Sequence, residues 1–318
     1  MALWRAPAGA TPAAGNYIYL QSDQGDFVGQ GGNYLHTQAD SVLSMSSIGA
    51  HLRIGVQGDH SWNGEFQGMS SIAQLQPGYY PRLLRYPVNN PAAGGMDWSG
   101  DGRGCNISVD WFVIDSITYS GGALTSVDLR FEQHCDNDSG VLHGQVHWTA
   151  NDPTTPPGPQ TPIPAGLWSP PAGSTPASGS YIYLQSDPGD FIGGGATAVY
   201  TPAISSFDVF SSGRLVSAGV SGWLGQFQAM NSIPQLQPGY YPGLHRYPFN
   251  NPATGGLDWR GDGRGCNTLN GWFAIDAITF SGSTLASLDL RFEQHCEGAT
   301  AALHGQVHWV ADAASTAH

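Results

Sequence analysis

The chain has 318 residues, a formal charge of −13 and no lysine, so arginine is its only permanently charged base. A groove that tracks a phosphate backbone needs clustered Arg and Lys, which removes nucleic acid from the expected partners. No apolar run reaches the roughly 20 residues that cross a bilayer, so no transmembrane segment is expected.

The opening, MALWRAPAGATPAAG, has neither the basic region nor the long apolar region of a secretory signal. The expected location is extracellular or at the cell surface, with the signal peptide absent from this sequence. The first recurring segment starts at Leu3, and LWRAPAGATPAAGNYIYLQSDQGDF returns at Leu167 as LWSPPAGSTPASGSYIYLQSDPGDF, an offset of 164. From SWNGEFQGM and its partner GWLGQFQAM onward the offset is 161, so the second copy is three residues shorter. The copies define two domains, residues 1–149 and 167–318, each of ordinary size for a complete globular unit. Residues 150–166 are proline-rich and aperiodic, and are expected to form an extended, semi-rigid linker.

Within each copy the apolar pattern predicts strands. YIYLQS, HLRIGVQG, WFVIDSITY, LTSVDLRFEQHC and VLHGQVHW are short, rich in β-branched and aromatic residues, and bounded by Gly, Asn, Asp or Ser. SSIAQLQ and its partner NSIPQLQ are the candidate helical turns, each ended by QPGYYP. Without helical crossovers the strands must pair mostly antiparallel, which gives an all-β fold of tandem, jelly-roll-like β-sandwiches.

LQSDQGDF brings Asp23 and Asp26 together, and its repeat brings Asp187 and Asp190. These are calcium candidates if Asp97 and Asp101, or Asp258 and Asp262, complete the six to eight oxygens that calcium takes. Asx-turns around glycine explain the same residues without an ion. Next comes DWSGDGRGCN, repeated as DWRGDGRGCN. It sets Trp98 or Trp259 beside Asp101 and Arg103, or Asp262 and Arg264, in a glycine-rich polar turn. An exposed indole there would stack on a sugar while the polar groups orient its hydroxyls. The competing expectation is that Trp98 caps a core, as Trp111, Trp272, Trp148 and Trp309 are expected to do. The second copy also spells Arg260-Gly261-Asp262, an adhesion-type tripeptide.

Each copy owns two cysteines 30 residues apart. The simplest pairing is Cys105–Cys135 and Cys266–Cys296, one bond per domain, which fits an oxidising compartment. In SVDLRFEQHC the period of two puts Val127, Leu129, Phe131, Gln133 and Cys135 on one face, with Asp128, Arg130, Glu132 and His134 on the other. VLHGQVHW adds His143, Gln145 and His147 to that polar face if the two strands form a hairpin. The second copy repeats this ladder as Arg291, Glu293, His295, His304, Gln306 and His308. Such a face offers paired donors and acceptors to sugar hydroxyls; its imidazoles and carboxylates are also zinc or copper ligand types, and an ordinary solvated face fits too.

No serine elbow, HExxH, phosphate loop or dinucleotide fingerprint is present. The pattern resembles carbohydrate-binding β-sandwich modules in broad architecture. The expected function is therefore a non-catalytic tandem binder of a glycan or polysaccharide. The alternatives are a structural or adhesive module of an extracellular protein, and a polysaccharide-active enzyme using Glu132 and Glu293.

Overall fold

The computed structural model describes residues 3–136 and 139–311. The chain divides into two compact units, residues 1–156 and 157–318. The first unit contains β1 (Tyr17–Ser22), β2 (Asn33–Thr37), β3 (Val42–Ile48), β4 (His51–Gln57) and β5 (Ser61–Gln67). It continues with β6 (Gly78–Arg85), β7 (Gly95–Gly100), β8 (Ser108–Ser120), β9 (Ala123–Cys135) and β10 (Leu142–Thr149). The second unit repeats the series as β11 (Tyr181–Ser186), β12 (Thr197–Tyr200), β13 (Phe207–Ser212), β14 (Leu215–Val220) and β15 (Trp223–Gln228). It closes with β16 (Gly239–Arg246), β17 (Gly256–Gly261), β18 (Leu269–Ser281), β19 (Thr284–Cys296) and β20 (Leu303–Val310).

Each unit is one ten-stranded sheet, ordered β2-β1-β10-β9-β8-β6-β7-β5-β4-β3 in the first and identically in the second. Every pairing is antiparallel except a two-residue parallel contact between β6 and β7, or β16 and β17. The sheet curls toward barrel closure, which gives tandem all-β, sandwich-like domains. The apolar faces meet inside, where Phe66, Trp98, Phe112 and Phe131 form the centre of the first core.

The period-of-two reading of β9 holds along the strand. Val127, Leu129, Phe131, Gln133 and Cys135 are buried, and β10 pairs with β9 so that His143 faces Glu132, Gln145 faces Arg130 and His147 faces Asp128. The residues connecting these strands include positions 137 and 138, which lie outside the described residues. The expected helical turn at SSIAQLQ is instead a bend closed by Ile72 N–H to the Met69 carbonyl at 3.1 Å. The stretch is too short, and too soon cut by QPG, to propagate a helix.

Among the polar side chains buried in the interior, Gln133 is fully enclosed. The amide of Gln133 reaches across the curled sheet to β7: its Oε1 accepts from Trp98 N–H at 2.7 Å and its Nε2 donates to the Trp98 carbonyl at 2.8 Å. Gln294 does the same to Trp259, at 2.8 and 2.7 Å. Disulfides Cys105–Cys135 and Cys266–Cys296 close the same strand onto the decapeptide loop, each with Cα atoms 5.1 Å apart.

The proline-rich stretch is taken up by both units. Asp152 accepts from Asn16 N–H at 3.0 Å in the first, and Gln160 forms a β-bridge with Tyr240 in the second.

Replacing Gln133 by Leu strands the Trp98 N–H and carbonyl in a dry core. The expected loss is about 2–4 kcal/mol, from one to two unpaired buried groups, read from urea unfolding of the full chain. The Cys105→Ala/Cys135→Ala pair should cost about 3–4 kcal/mol through its loop of about 30 residues. If Gln133→Leu unfolds at the wild-type urea midpoint, the clamp does not stabilise the fold.

Candidate functional site

The decapeptide loop resolves into a tight turn. Asp101 and Gly102 have φ of 49° and 76°, and Gly100 and Arg103 exchange backbone hydrogen bonds of 2.9 and 2.8 Å around them. This is the Asp-Gly hairpin geometry that needs φ > 0 at both central residues. Asp262 and Gly263 repeat it, with φ of 50° and 75°. In the first unit the side chains here contact neighbouring strands and loops. Asp101 accepts from Ser61 N–H at 2.9 Å and contacts His60 Nδ1 at 2.6 Å. Arg103 donates to the Val28 carbonyl at 2.7 Å and lies over the Trp62 ring, as Arg264 lies over Trp223. Arg260 bonds Asp258 and Gln226, so its guanidinium is tied to the sheet.

Trp98 and Trp259 do not form sugar-stacking platforms: both are 0% exposed. The reason is the residue opposite. Trp98 faces Gly64 across β5 and β7, and the indole folds into the space a Cβ would fill, stacking on Phe131 at 4.9 Å. Gly225 admits Trp259 in the same way.

Asp26 is likewise turned inward. Its Oδ2 accepts from Ser22 Oγ at 2.6 Å and Gly29 N–H at 2.7 Å, and its Oδ1 from Val28 N–H at 3.2 Å. Asp190 repeats these contacts with Ser186, Ile192 and Gly193. Among the described residues, no group of three or more His, Cys, Asp or Glu is arranged to hold a metal ion.

The polar ladder is where the predicted residues converge. Glu132 stands between two imidazoles: Oε1 is 2.8 Å from His134 Nε2, and Oε2 is 3.2 Å from His143 Nδ1. Across β10, His143 Nε2 is 3.6 Å from Asp23. Glu293, His295, His304 and Asp187 repeat the chain at 3.2, 3.1 and 3.5 Å. Asp23 and Asp187 therefore join the ladder, while Asp26 and Asp190 do not. Trp111, expected in the core, lies on the ladder face instead. It is paired with Glu132 in register and its indole N–H bonds the carboxylate, and Trp272 does the same to Glu293.

Two elements of this face are not visible in the strand pattern. Asp115 sits at a bulge in β8, where the register with β9 shifts between Ile114 and Ser116. It meets Arg130 with two hydrogen bonds, 2.7 and 2.8 Å, which the guanidinium fork suits. Asp276 and Arg291 match them.

The segment before β1 then crosses the ladder. Arg130 donates to the Trp4 carbonyl at 2.7 Å, and Ala6 N–H donates to Gln145. The Trp4 indole lies flat on His143, with centroids 5.0 Å apart and planes 15° apart. Trp168 lies on His304 at 5.1 Å and 17°. Trp4 and Trp168 could have been found as the first matched pair of tryptophans, set outside any periodic segment.

The electrostatics are distinctive. Glu132 and Glu293 are each pushed down from 4.5 to about 2, first by the imidazole of His143 or His304, whose Nδ1 lies 3.2 or 3.1 Å away. Burial opposes this, and bonds from the second imidazole and the indole add to it. Burial lowers His304, but its bond to Glu293 and the charges of Glu293 and Asp187 prevail, so it stays protonated to a higher pH than usual. The site thus holds a fixed anion bracketed by donors. Comparisons of the chain with protein-family models, with curated proteins and with solved structures returned no match.

A depressed folded-state carboxylate contributes stability that is fully present above its unfolded value and is lost as the pH falls through its folded value. For Glu132 and Glu293 that window runs from 4.5 down to about 2. The raised His304 works oppositely: its contribution is present below 6.5 and fades as the pH rises through its folded value. Thermal midpoints of wild type and the Glu132→Gln/Glu293→Gln variant should differ most near pH 6 and converge as acidification nears pH 2. A gap that is constant with pH would contradict the assignment.

Proposed function

We propose that each unit is a non-catalytic module that binds a neutral saccharide on the shelf formed by Trp4, Asp23, Glu132, His134 and His143. The second unit uses Trp168, Asp187, Glu293, His295 and His304. The supporting observation is the recurrence of one arrangement in both units: an indole laid flat on an imidazole, beside carboxylates fixed by further imidazoles. Trp4 and Trp168 are half-buried, so part of each ring system stays open to a ligand. An aromatic face covers the apolar side of a pyranose, and preorganised acceptors take its hydroxyl protons without ordering cost at binding. Two modest sites on one chain gain from linkage wherever the ligand presents repeated units.

The net charge of −13 favours neutral over acidic polysaccharides, since like-signed fields oppose encounter. A glycosidase reading fits less well. A general acid needs a raised value so that it carries a proton at working pH, and Glu132 is pushed the other way, to about 2. Calcium stays outside the proposal, because Asp26 and Asp190 spend both carboxylate oxygens on their own turns.

Calorimetric titration with neutral oligosaccharides, chosen from a broad glycan array, should show saturable binding. The Trp4→Ala/Trp168→Ala variant should bind about tenfold more weakly or worse, about 1.4 kcal/mol or more. Its near-ultraviolet circular dichroism should report an intact core. Glu132→Gln/Glu293→Gln should weaken binding less, since one acceptor oxygen survives. An array without a single saturable glycan overturns the proposal, as does full affinity in the tryptophan variant.

A further inference from the structure

The two units treat one backbone edge differently. In the second unit, β16 pairs with β18 at Gly239, Tyr240 and Tyr241, and touches β17 only at His245 and Arg246. Its first half thus has a second edge, and Gln160 occupies it. Gln160 N–H donates to the Tyr240 carbonyl at 2.8 Å, and Tyr240 N–H donates to the Gln160 carbonyl at 2.9 Å. On either side, Ser232 Oγ donates to the Pro157 carbonyl, and Pro159 and Thr161 lie over Gly239. Residues 157–161 thus run along this edge and pair with it through one β-bridge at Gln160.

Among the described residues, the first unit has the same edge without that cover. Tyr79 pairs with Val113 as Tyr240 pairs with Ala274, and β6 meets β7 only at Leu84 and Arg85. The N–H and carbonyl of Tyr79 therefore point to the same outer side. Ser71, Gly78 and Tyr79 are exposed, Tyr79 by 49%, where Gly239 is buried and Ser232 and Tyr240 are half-buried. A Cβ built on Gly239 would meet Pro159 at 2.8 Å, whereas one on Gly78 meets nothing within 4 Å. Beside this edge a depression opens, lined by Tyr79, Arg82, Val109, Trp111 and His134 among others. The Tyr79 and Trp111 rings stand 5.9 Å apart at 60°.

We propose that the β6 edge at Tyr79 docks an extended proline-rich segment of a partner polypeptide, through the edge pairing that residues 157–161 make to Tyr240. The occupant's chemistry is read from the second unit: Pro-Pro-Gly-Pro-Gln-Thr-Pro, residues 156–162, offers a backbone donor and acceptor at Gln160 among residues already biased to extension. Residues 157–161 are engaged on Tyr240, and the occupant proposed for Tyr79 is a second polypeptide of the same chemistry. Ser71 supplies the hydroxyl equivalent to Ser232, and the Tyr79–Trp111 pair supplies the aromatic surface that proline rings pack on. Burying this edge also resolves a liability, since an open strand edge otherwise invites indiscriminate pairing.

The probe is a fluorescein-labelled peptide of sequence TPPGPQTPI, titrated against the full chain by fluorescence polarisation. Saturable binding is expected, weakened about tenfold or more when the peptide is N-methylated at its glutamine, which deletes the donor without altering the protein. Ser71→Ala should weaken binding several-fold. Hydrogen exchange should slow at the Tyr79 amide on peptide addition, with Tyr240 unchanged. Trp4→Ala/Trp168→Ala should leave peptide binding intact, which separates this site from the saccharide shelf. The proposal is overturned by absence of saturable binding, by equal affinity of the N-methyl peptide, or by protection confined to the second unit. Concentration-dependent self-association that blocks the peptide would also overturn it, by making a second copy the occupant.

Discussion

Strand β9 carries the constraint on which the rest of each unit depends. The Gln133 amide holds both backbone groups of Trp98 across the curled sheet, and Cys135 holds Cys105 two residues later. Between and beside these anchors, on the opposite face, stand Glu132 and His134. Successive strand residues point to opposite sides, so fixing Gln133 and Cys135 from within also fixes the two ladder residues from behind. The interior polar clamp and the exterior polar site are two faces of one strand. Losing the clamp would loosen the shelf before the shelf itself was touched.

The ladder was legible because a period of two needs only local sequence. Alternation along SVDLRFEQHC and VLHGQVHW sorts the residues by face, and a short connection makes them neighbours. Three other features needed information that no local window contains. Trp98 is buried because Gly64, far away in the chain, leaves room opposite it. Asp115 reaches Arg130 because a bulge interrupts the alternation in β8, so a parity count started upstream fails there. Trp4 belongs to the site through an aperiodic arm held by its backbone carbonyl, and backbone bonds leave no side-chain signature. Trp111 was a simpler matter: the same alternation that sorts β9 puts it opposite Phe112 and onto the ladder, although a Trp-Phe pair invites assignment to the core.

The three-residue difference between the copies also has a place. Val56 and Trp62 face each other across residues 57–61, whereas Val220 and Trp223 face each other across Ser221 and Gly222 alone. Ser221 and Gly222 have φ of 45° and 83°, the tight hairpin turn favoured by strand twist. The longer loop of the first unit brings His60 onto Asp101, within reach of Tyr34 and Trp62. This cluster has no counterpart at the tight turn, while the ladder residues recur in kind and geometry. A property shared by both units therefore fits the ladder, and a property of the first unit alone fits the surfaces that differ.

Arginine as the only strong base has a structural consequence. Arg130 and Arg291 fork onto Asp115 and Asp276, while Arg85, Arg260 and Arg53 each make a single contact, to Asp97, Asp258 and Glu65. A planar guanidinium can satisfy a carboxylate and a backbone carbonyl together, as Arg130 does with Asp115 and Trp4, where a lysine would supply only a point charge. These guanidiniums hold strands and arms together. A ligand of either proposed site approaches a surface that repels anions and offers it acceptors, imidazoles and aromatic faces. Neutral hydroxyl-rich rings and uncharged proline-rich strands both meet those terms, and neither requires a cationic groove that this composition could not build.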